Sequence, residues 1–444
     1  MSAELSARQI RRTEGADSVQ ALQRVLYRSA KQNKQRQFHA LYDKVFRRDI
    51  LARAWDKVRA NGGAPGVDGV SIDDVETAGV SEFLDDIAVS LQSVTYRPKA
   101  LRRVDIPKPG QPGKTRPLSI PTVLDRVVMT AAKLVLEAIF EADFKPSSFG
   151  FRPKRSAQDA LEAVRKEANA NGNWILDADI ENCFSEIDHD ALMTQVKRRV
   201  CDQNMLKLLR SWLRVGVLEN GVVTDQPAGT PQGSPISPLL ANIALHLLDE
   251  EWDDEGGDNG KLVKFADDLV IVCRTEVQAN RAKQRVGEII AKLGLRLHPD
   301  KTRIVNLTCG KQGLDFLGFH LHKRKSRKWQ KWYLHAWPSR RAMSVIRERI
   351  RQVTNRRYVG VSIDEIVRRL NRALIAWSRY YQYGVPSECF AAIDSYVHER
   401  LAIFASNKHG LRGRNWMTRY NGEWFKRLGL IRLSGTKRYG AMHA

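Results

Sequence analysis

The stretch KLVKFADDLVIVC, residues 261–273, sets two runs of β-branched and aromatic residues on either side of Asp267 and Asp268. Runs of this composition read as buried strands, so the acid pair falls at the tip of an apolar hairpin. Adjacent carboxylates repel each other and resist burial. Two arrangements tolerate them there. One is a solvated turn, which Asp favours through local hydrogen bonds to its own backbone. The other is a divalent cation, because Mg²⁺ takes hard oxygen ligands and neutralises paired carboxylates. The hairpin alone does not decide between them.

Composition narrows the choice. The chain has 444 residues, with 73 Lys and Arg against 50 Asp and Glu, a net charge of +23. Its length implies two or three domains. The charge exceeds what solubility needs and points to a polyanionic partner, nucleic acid rather than membrane. No apolar run approaches the roughly 20 residues of a spanning helix, and MSAELSARQIRRTEG has no signal-peptide core. A basic scaffold would share the charge, but 43% hydrophobic content with 10 Trp fits a folded enzyme better. Cys183, Cys201, Cys273, Cys309 and Cys389 are scattered without a C-x-x-C pair. That spacing speaks against a disulfide framework or a zinc ribbon and for a reducing cytoplasm.

Residues 1–60 read as a basic helical extension, with Phe38, Leu41, Val45 and Phe46 at helical spacing. NGGAPGVDGVS breaks it, and the Pro/Gly-rich stretch around 97–121 alternates short β-like runs with turns. Helical patterns follow at 123–141, 156–170, 189–214 and 276–293, with another opening near Pro238. Composition shifts at 323, where KRKSRKWQKWYLHAWPSRR interleaves basic and aromatic residues. Lys323, Arg324, Lys325, Arg327 and Lys328 are expected there to meet nucleic-acid phosphate. Two helical patterns close the chain, at 362–383 with Ser362 and Glu365 as a capping box, and at about 388–408. The expected division is 1–60, 61–322 and 323–444.

Metal-dependent phosphoryl transfer needs acids from more than one element. WILDADIENCF carries Asp177, Asp179 and Glu181 at alternating positions, hence on one strand face, and periodicity does not choose among them. A triphosphate also needs cations on an extended arm, and IPKPGQPGKTRPLSIP offers Lys108, Lys114 and Arg116. AGTPQGSPISPLLANIAL places Gly229 and Gly233 where backbone could approach a base pair closely.

In order, the segments TRPLSIPTVLDRVV, SSFGFRPKRSAQDAL, DADIENCFSEIDHDAL, GTPQGSPISPLLANIAL, KFADDLVIV, GLRLHPDKTRIV and LDFLGFHL resemble successive blocks of a reverse transcriptase. The likeness is to the group II intron-encoded type, a bacterial retroelement family, and RALIAWSRYYQYG resembles the start of its maturase region. It covers about residues 40–410. The resemblance implies an α+β right-hand polymerase: fingers and palm with antiparallel sheet, then a helical thumb and maturase domain. It further implies RNA-directed DNA synthesis from dNTPs with two Mg²⁺ ions, for which Mn²⁺ can substitute. The implied partners are a parent intron RNA, an RNA template and a DNA primer, with a homodimer allowed and no membrane. The implied location is the bacterial cytoplasm, at the nucleoid.

Residue by residue, the resemblance assigns Asp179, Asp267 and Asp268 to the metals and leaves Asp177 and Glu181 out. Phe184, five positions after Asp179, matches the aromatic that excludes a ribose 2′-hydroxyl. Gln232 matches the glutamine beside the incoming nucleotide, and Lys108 and Arg116 match cations on its triphosphate. The longer finger loop lets Lys114 stand in for Lys108. Lys301 matches a primer- or nucleotide-proximal lysine, and FLGF at 316–319 matches the primer-grip turn. Phe265 departs from the usual Tyr, which keeps the ring and loses a hydroxyl. The C-terminal stretch has neither Cys pairs nor a His-Asn-His-like run, so no DNA endonuclease is expected. Two other readings share these motifs: a domesticated relative used in phage defence, spacer acquisition or diversity generation, and an RNA-binding splicing cofactor without polymerase activity.

Overall fold

The computed structural model describes residues 18–107, 113, 115–219, 222–225, 228–254, 259–410 and 419–435. These fall into two compact units. The first holds 18–107, 115–160 and 176–304, and the second holds 113, 161–175 and the described residues from 305 onward.

Strands β1 (Leu101–Pro107) and β2 (Thr115–Ile120) form an antiparallel pair with Pro107 opposite Thr115. Strand β3 (Trp174–Asp179) comes next, then the short hairpin of β4 (Val217–Glu219) and β5 (Val222–Thr224). With β6 (Lys261–Phe265), β7 (Asp268–Cys273) and β8 (Arg303–Asn306) they make two sheets, ordered β2-β1-β4-β5 and β6-β7-β3-β8. The helix Val123–Phe140 is buried on almost every side, as its all-round apolar sequence requires. Helix Glu276–Ala291 packs on β7, whose residues Leu269–Cys273 are all buried. Phe265 pairs with Asp268, so the β6–β7 hairpin turns on Ala266 and Asp267 alone. Two-residue hairpins need positive φ, and Ala266 adopts +58°.

The expected helix through Phe38 and Phe46 does not form as one element. Helix 18–32 ends, an irregular stretch follows, and only Tyr42–Val45 and Arg48–Asn61 resume helical geometry. Distant groups win over local periodicity here. Asp202 Oδ2 accepts from the backbone N–H of Leu41 and Tyr42, both at 2.8 Å, and Phe38 exchanges backbone bonds with Arg199 and Cys201. Phe38, Leu41 and Val45 are buried all the same.

In the second unit, β9 (Gly313–Phe316), β10 (Phe319–Lys325) and β11 (Trp332–Pro338) form an antiparallel sheet ordered β11-β10-β9. FLGF is a two-residue turn, with Leu317 and Gly318 at φ +49° and +78°. Helices Arg340–Val353, Ile363–Tyr381 and Ser387–Lys408 enclose a core that includes Ile350, Leu370, Leu374, Ile393, Leu401 and Phe404. Ser362 caps the second helix through Glu365 N–H, but the Glu365 carboxylate pairs with Arg368 and Arg369, so the expected capping box is half made. Tyr420, Phe425 and Leu433 join the same core, so the described part of the C-terminal stretch completes the helical fold.

Lys323 departs from its expected role. Its side chain is buried, with 4% of the residue exposed, and Nζ donates to Gly172 O at 2.9 Å and Asn173 Oδ1 at 2.8 Å. An ammonium spent on internal acceptors takes no phosphate. Arg324, its neighbour, stacks over Trp337 at 4.3 Å.

Candidate active site

Asp177, Asp179 and Glu181 alternate along β3 and just past it, and each meets a base on the segment running antiparallel beside it. Arg303 Nε donates to Asp177 Oδ2 at 3.0 Å, Lys301 Nζ donates to Asp179 Oδ2, and Arg296 pairs with Glu181 at 2.6 Å. An Ile180–Leu297 bridge sets the register, with Glu181 N–H on Arg296 O and His298 N–H on Asp179 O. Arg296 and Arg303 were not singled out from the sequence. The signal was there, as spaced bases in GLRLHPDKTRIV opposite alternating acids in DADIE.

The β6–β7 tip reaches the same strand end, where Ile180 N–H donates to Asp267 O at 3.4 Å. Burial raises the Asp267 carboxyl above its usual range and Asp179 adds to this, while Arg116 and Lys301 oppose it. Asp268 stays open to water on one side, yet its carboxyl is pushed up to about 7. The protein packed around it is the largest cause, followed by Asp267, Asp179 and Asp177. Three acids from two elements therefore share one electrostatic site, and they are short of positive charge.

Around them, Arg116 Nε donates to Gln232 Oε1 at 2.9 Å, which joins strand β2 to the PQG loop. Ser119 N–H donates to Gln232 O at 2.7 Å. Gly229 and Gly233 hold φ of +86° and +112°, and their close approaches are internal, to the backbone of Ser185 and of Ser119. Thr230 N–H on Phe184 O docks the same loop onto the turn that carries Phe184. Phe184 is buried, with its ring edge-on to Phe151. Lys108 and Lys114 lie outside the described residues.

Behind the sheet, Lys264 on β6 pairs with Asp249 on helix Ser237–Asp254. The sign of this pair in the sequence is a lysine inside an otherwise apolar strand.

Among the described residues, no group of three or more His, Cys, Asp or Glu stands as a ready-made metal cage. The donors are of the right chemistry nonetheless. They are hard carboxylate oxygens whose mutual repulsion a divalent cation relieves, with Lys301 now neutralising Asp179. No helix among the described residues is long and apolar enough to cross a membrane.

Known proteins resemble the chain over the same segments. Residues 106–321 match a family described as Reverse transcriptase (RNA-dependent DNA polymerase), and residues 343–421 match Group II intron, maturase-specific domain. The chain is 33% identical over 294 residues to Group II intron-encoded protein LtrA of Lactococcus lactis subsp. cremoris, covering 64% of this chain and 47% of that protein. Against Protein YkfC of Escherichia coli (strain K12) it is 33% identical over 301 residues, 59% of this chain and 77% of that protein. The match thus spans about half the length of the Lactococcus relative. Polymerase and maturase matches lie in order on one polypeptide. The chain belongs to the family of group II intron-encoded reverse transcriptases with a maturase domain.

Proposed function

We propose that this protein copies RNA into cDNA by two-metal phosphoryl transfer and binds its parent group II intron RNA to assist splicing and mobility. The observation that supports the polymerase reading most is that the β6–β7 tip with Asp267 and Asp268 meets the end of β3 that carries Asp179, where Ile180 N–H donates to Asp267 O at 3.4 Å. Asp179, Asp267 and Asp268 would hold Mg²⁺ or Mn²⁺. Two such ions would supply Lewis acidity toward a 3′-hydroxyl nucleophile and charge neutralisation for the triphosphate. The chain's own part is positioning and charge. Arg116 presents a planar cation to the triphosphate, and Gln232 fixes the direction of that guanidinium by accepting from Nε. Lys301 donates to Asp179 Oδ2 and so adds positive charge at the same acids.

In this reading the first unit carries fingers and palm, and the second carries thumb and maturase functions. The maturase reading is supported by exposed Trp329 in the basic β10–β11 loop and exposed Trp332 at the start of β11. It is supported too by a cavity of about 580 Å³ lined by Arg349, Arg357, Arg369 and Arg372. Arginine forks and aromatic faces are what single-stranded RNA meets. Primer extension on poly(rA)/oligo(dT), run beside splicing of the flanking intron RNA, tests both halves. Absence of extension sinks the polymerase, and unassisted splicing sinks the maturase.

A further inference from the structure

Neutral donors converge on the carboxylate of Asp125, which is 1% exposed. Tyr96 OH donates to Oδ1 at 2.6 Å, while Thr122 Oγ1 and the Lys99 backbone N–H donate to Oδ2 at 2.7 and 3.2 Å. Thr122 Oγ1 in turn accepts from Asp125 N–H, which caps the helix Val123–Phe140. The Tyr96 hydroxyl also accepts from Trp212 Nε1 at 3.0 Å. Burial raises the Asp125 carboxyl above its usual range, and the three donors oppose that rise.

These partners come from three places along the sheet β2-β1-β4-β5. Tyr96 and Lys99 lead into β1, Thr122 follows β2, and Trp212 lies on the helix Gln203–Leu213 that leads into β4. One carboxylate with its tyrosine thus holds the entry or exit of three neighbouring strands. The start of its own helix is fixed as well. The Arg126 guanidinium donates to Gly62 O at 3.3 Å and Ala64 O at 2.7 Å, and a Cβ on Gly66 would strike the Thr122 backbone. Fully satisfied buried networks rigidify the elements they join.

The β1–β2 pair is the lever that this base carries. Arg116 lies four residues from the end of β2, about 13 Å away at about 3.3 Å per residue. A tilt of about 5° at the base moves Arg116 by about 1 Å, a displacement large enough to cost rate. We propose that Asp125 is a positioning residue for triphosphate binding: it fixes the base of β1–β2 and so sets where the Arg116 guanidinium stands against Gln232. This rests on the polymerase reading in which Arg116 meets the incoming nucleotide. A role in folding alone would leave nucleotide affinity untouched. The lever requires that affinity move, and that it move through Arg116.

The test is steady-state extension of oligo(dT) on poly(rA) by the full chain with varied dTTP, for wild type, D125N, Y96F, R116A and the D125N/R116A double variant. D125N is expected to raise KM for dTTP about fivefold while kcat changes about twofold at most. Y96F, which removes one hydroxyl from the same network, should raise KM about twofold to threefold. On the R116A background D125N should add less than about twofold, because the contact it positions is already gone. A D125N enzyme with the parent KM overturns the assignment. So does an equal KM factor with and without Arg116, or a loss of kcat alone that follows a lowered Tm. If D125N does not fold, Y96F alone and combined with R116A is judged by the same criteria. A wild-type chain that extends no primer overturns the polymerase reading and this proposal with it, whereas an active wild type with additive D125N and R116A effects overturns this proposal only.

Discussion

Lys264 Nζ donates to Asp249 Oδ2 across 2.6 Å, with the two side chains 0% and 1% exposed. A second bond runs from Nζ to Leu245 O at 2.8 Å. Together they tie β6, the strand that leads into Asp267, to the helix behind it. Each ion withdrawn from water loses several kcal/mol of solvation, so the arrangement persists only while both partners are present. Lys264→Met should lower stability by about 3–5 kcal/mol, because buried Asp249 loses its ammonium partner and keeps only His246, 3.7 Å away. The double change with Asp249→Leu should recover most of that loss. Urea unfolding of the three proteins checks it, and a single variant as unstable as the double one would refute the pairing argument.

The same pair sets a pH dependence. Burial by itself raises the Asp249 carboxyl, but Lys264 and His246 more than offset this and hold it below its usual value. A carboxyl depressed on folding stabilises the fold above its unfolded pKa of about 4, and the contribution fades as pH falls through the lower folded value. Stability of the wild type should therefore decline more steeply below about pH 4 than that of Asp249→Asn, which has no proton to take up there. Unfolding midpoints measured from pH 7 downward show this as a narrowing gap between the two proteins.

Asp267→Ala should abolish cDNA synthesis and leave intron RNA affinity nearly unchanged. In the proposed function its carboxylate belongs to the acid site, whereas RNA affinity would come from basic surfaces elsewhere on the chain. Primer extension and filter binding on one preparation separate the two. Retained polymerase activity would remove Asp267 from catalysis.

Arg116→Ala should raise KM for dNTPs about tenfold and lower kcat less, because a triphosphate contact is made in the ground state as well as in the transition state. Gln232→Ala should give a smaller change in the same direction, since Arg116 then loses the acceptor that orients its Nε. If the two changes act through one contact, their effects in the double variant should fall short of additive. Strict additivity would mean they serve the substrate separately.

Replacing Lys325, Arg327, Lys328 and Lys331 by Ala should weaken RNA binding and flatten its salt dependence. Every phosphate that one of these side chains neutralises on a single strand accounts for about 0.7 of the slope of log K against log salt. Lys323→Ala should behave differently. Its Nζ serves Gly172 and Asn173, so the variant loses stability and keeps the parent slope. Equal slopes for the four-site variant and the parent would leave these bases as plain solvated charge.

Local features of the site were legible because their causes lie within a few residues. The β6–β7 hairpin follows from apolar runs flanking Asp267 and Asp268, and the shared face of Asp177, Asp179 and Glu181 follows from the two-residue strand period. The stripe of Ile366, Leu370 and Leu374 on one helix face is likewise a matter of pitch, and all three are buried. The family resemblance added the order of the blocks, which the two family matches follow.

What the sequence determined by itself, then, is the run of elements, the basic character of the chain and the acids at the strand ends. Tertiary structure alone decided which charge answers which. Lys301 finds Asp179, Lys264 finds Asp249 across a strand and a helix, and Lys323 turns inward rather than to phosphate. Tertiary structure also broke the expected helix at Phe38, where the Asp202 carboxylate claims two backbone N–H groups. The physical reason is common to all four. Periodicity records which face of an element a residue occupies, but a hydrogen bond or ion pair depends on the distance to a group brought near only by folding.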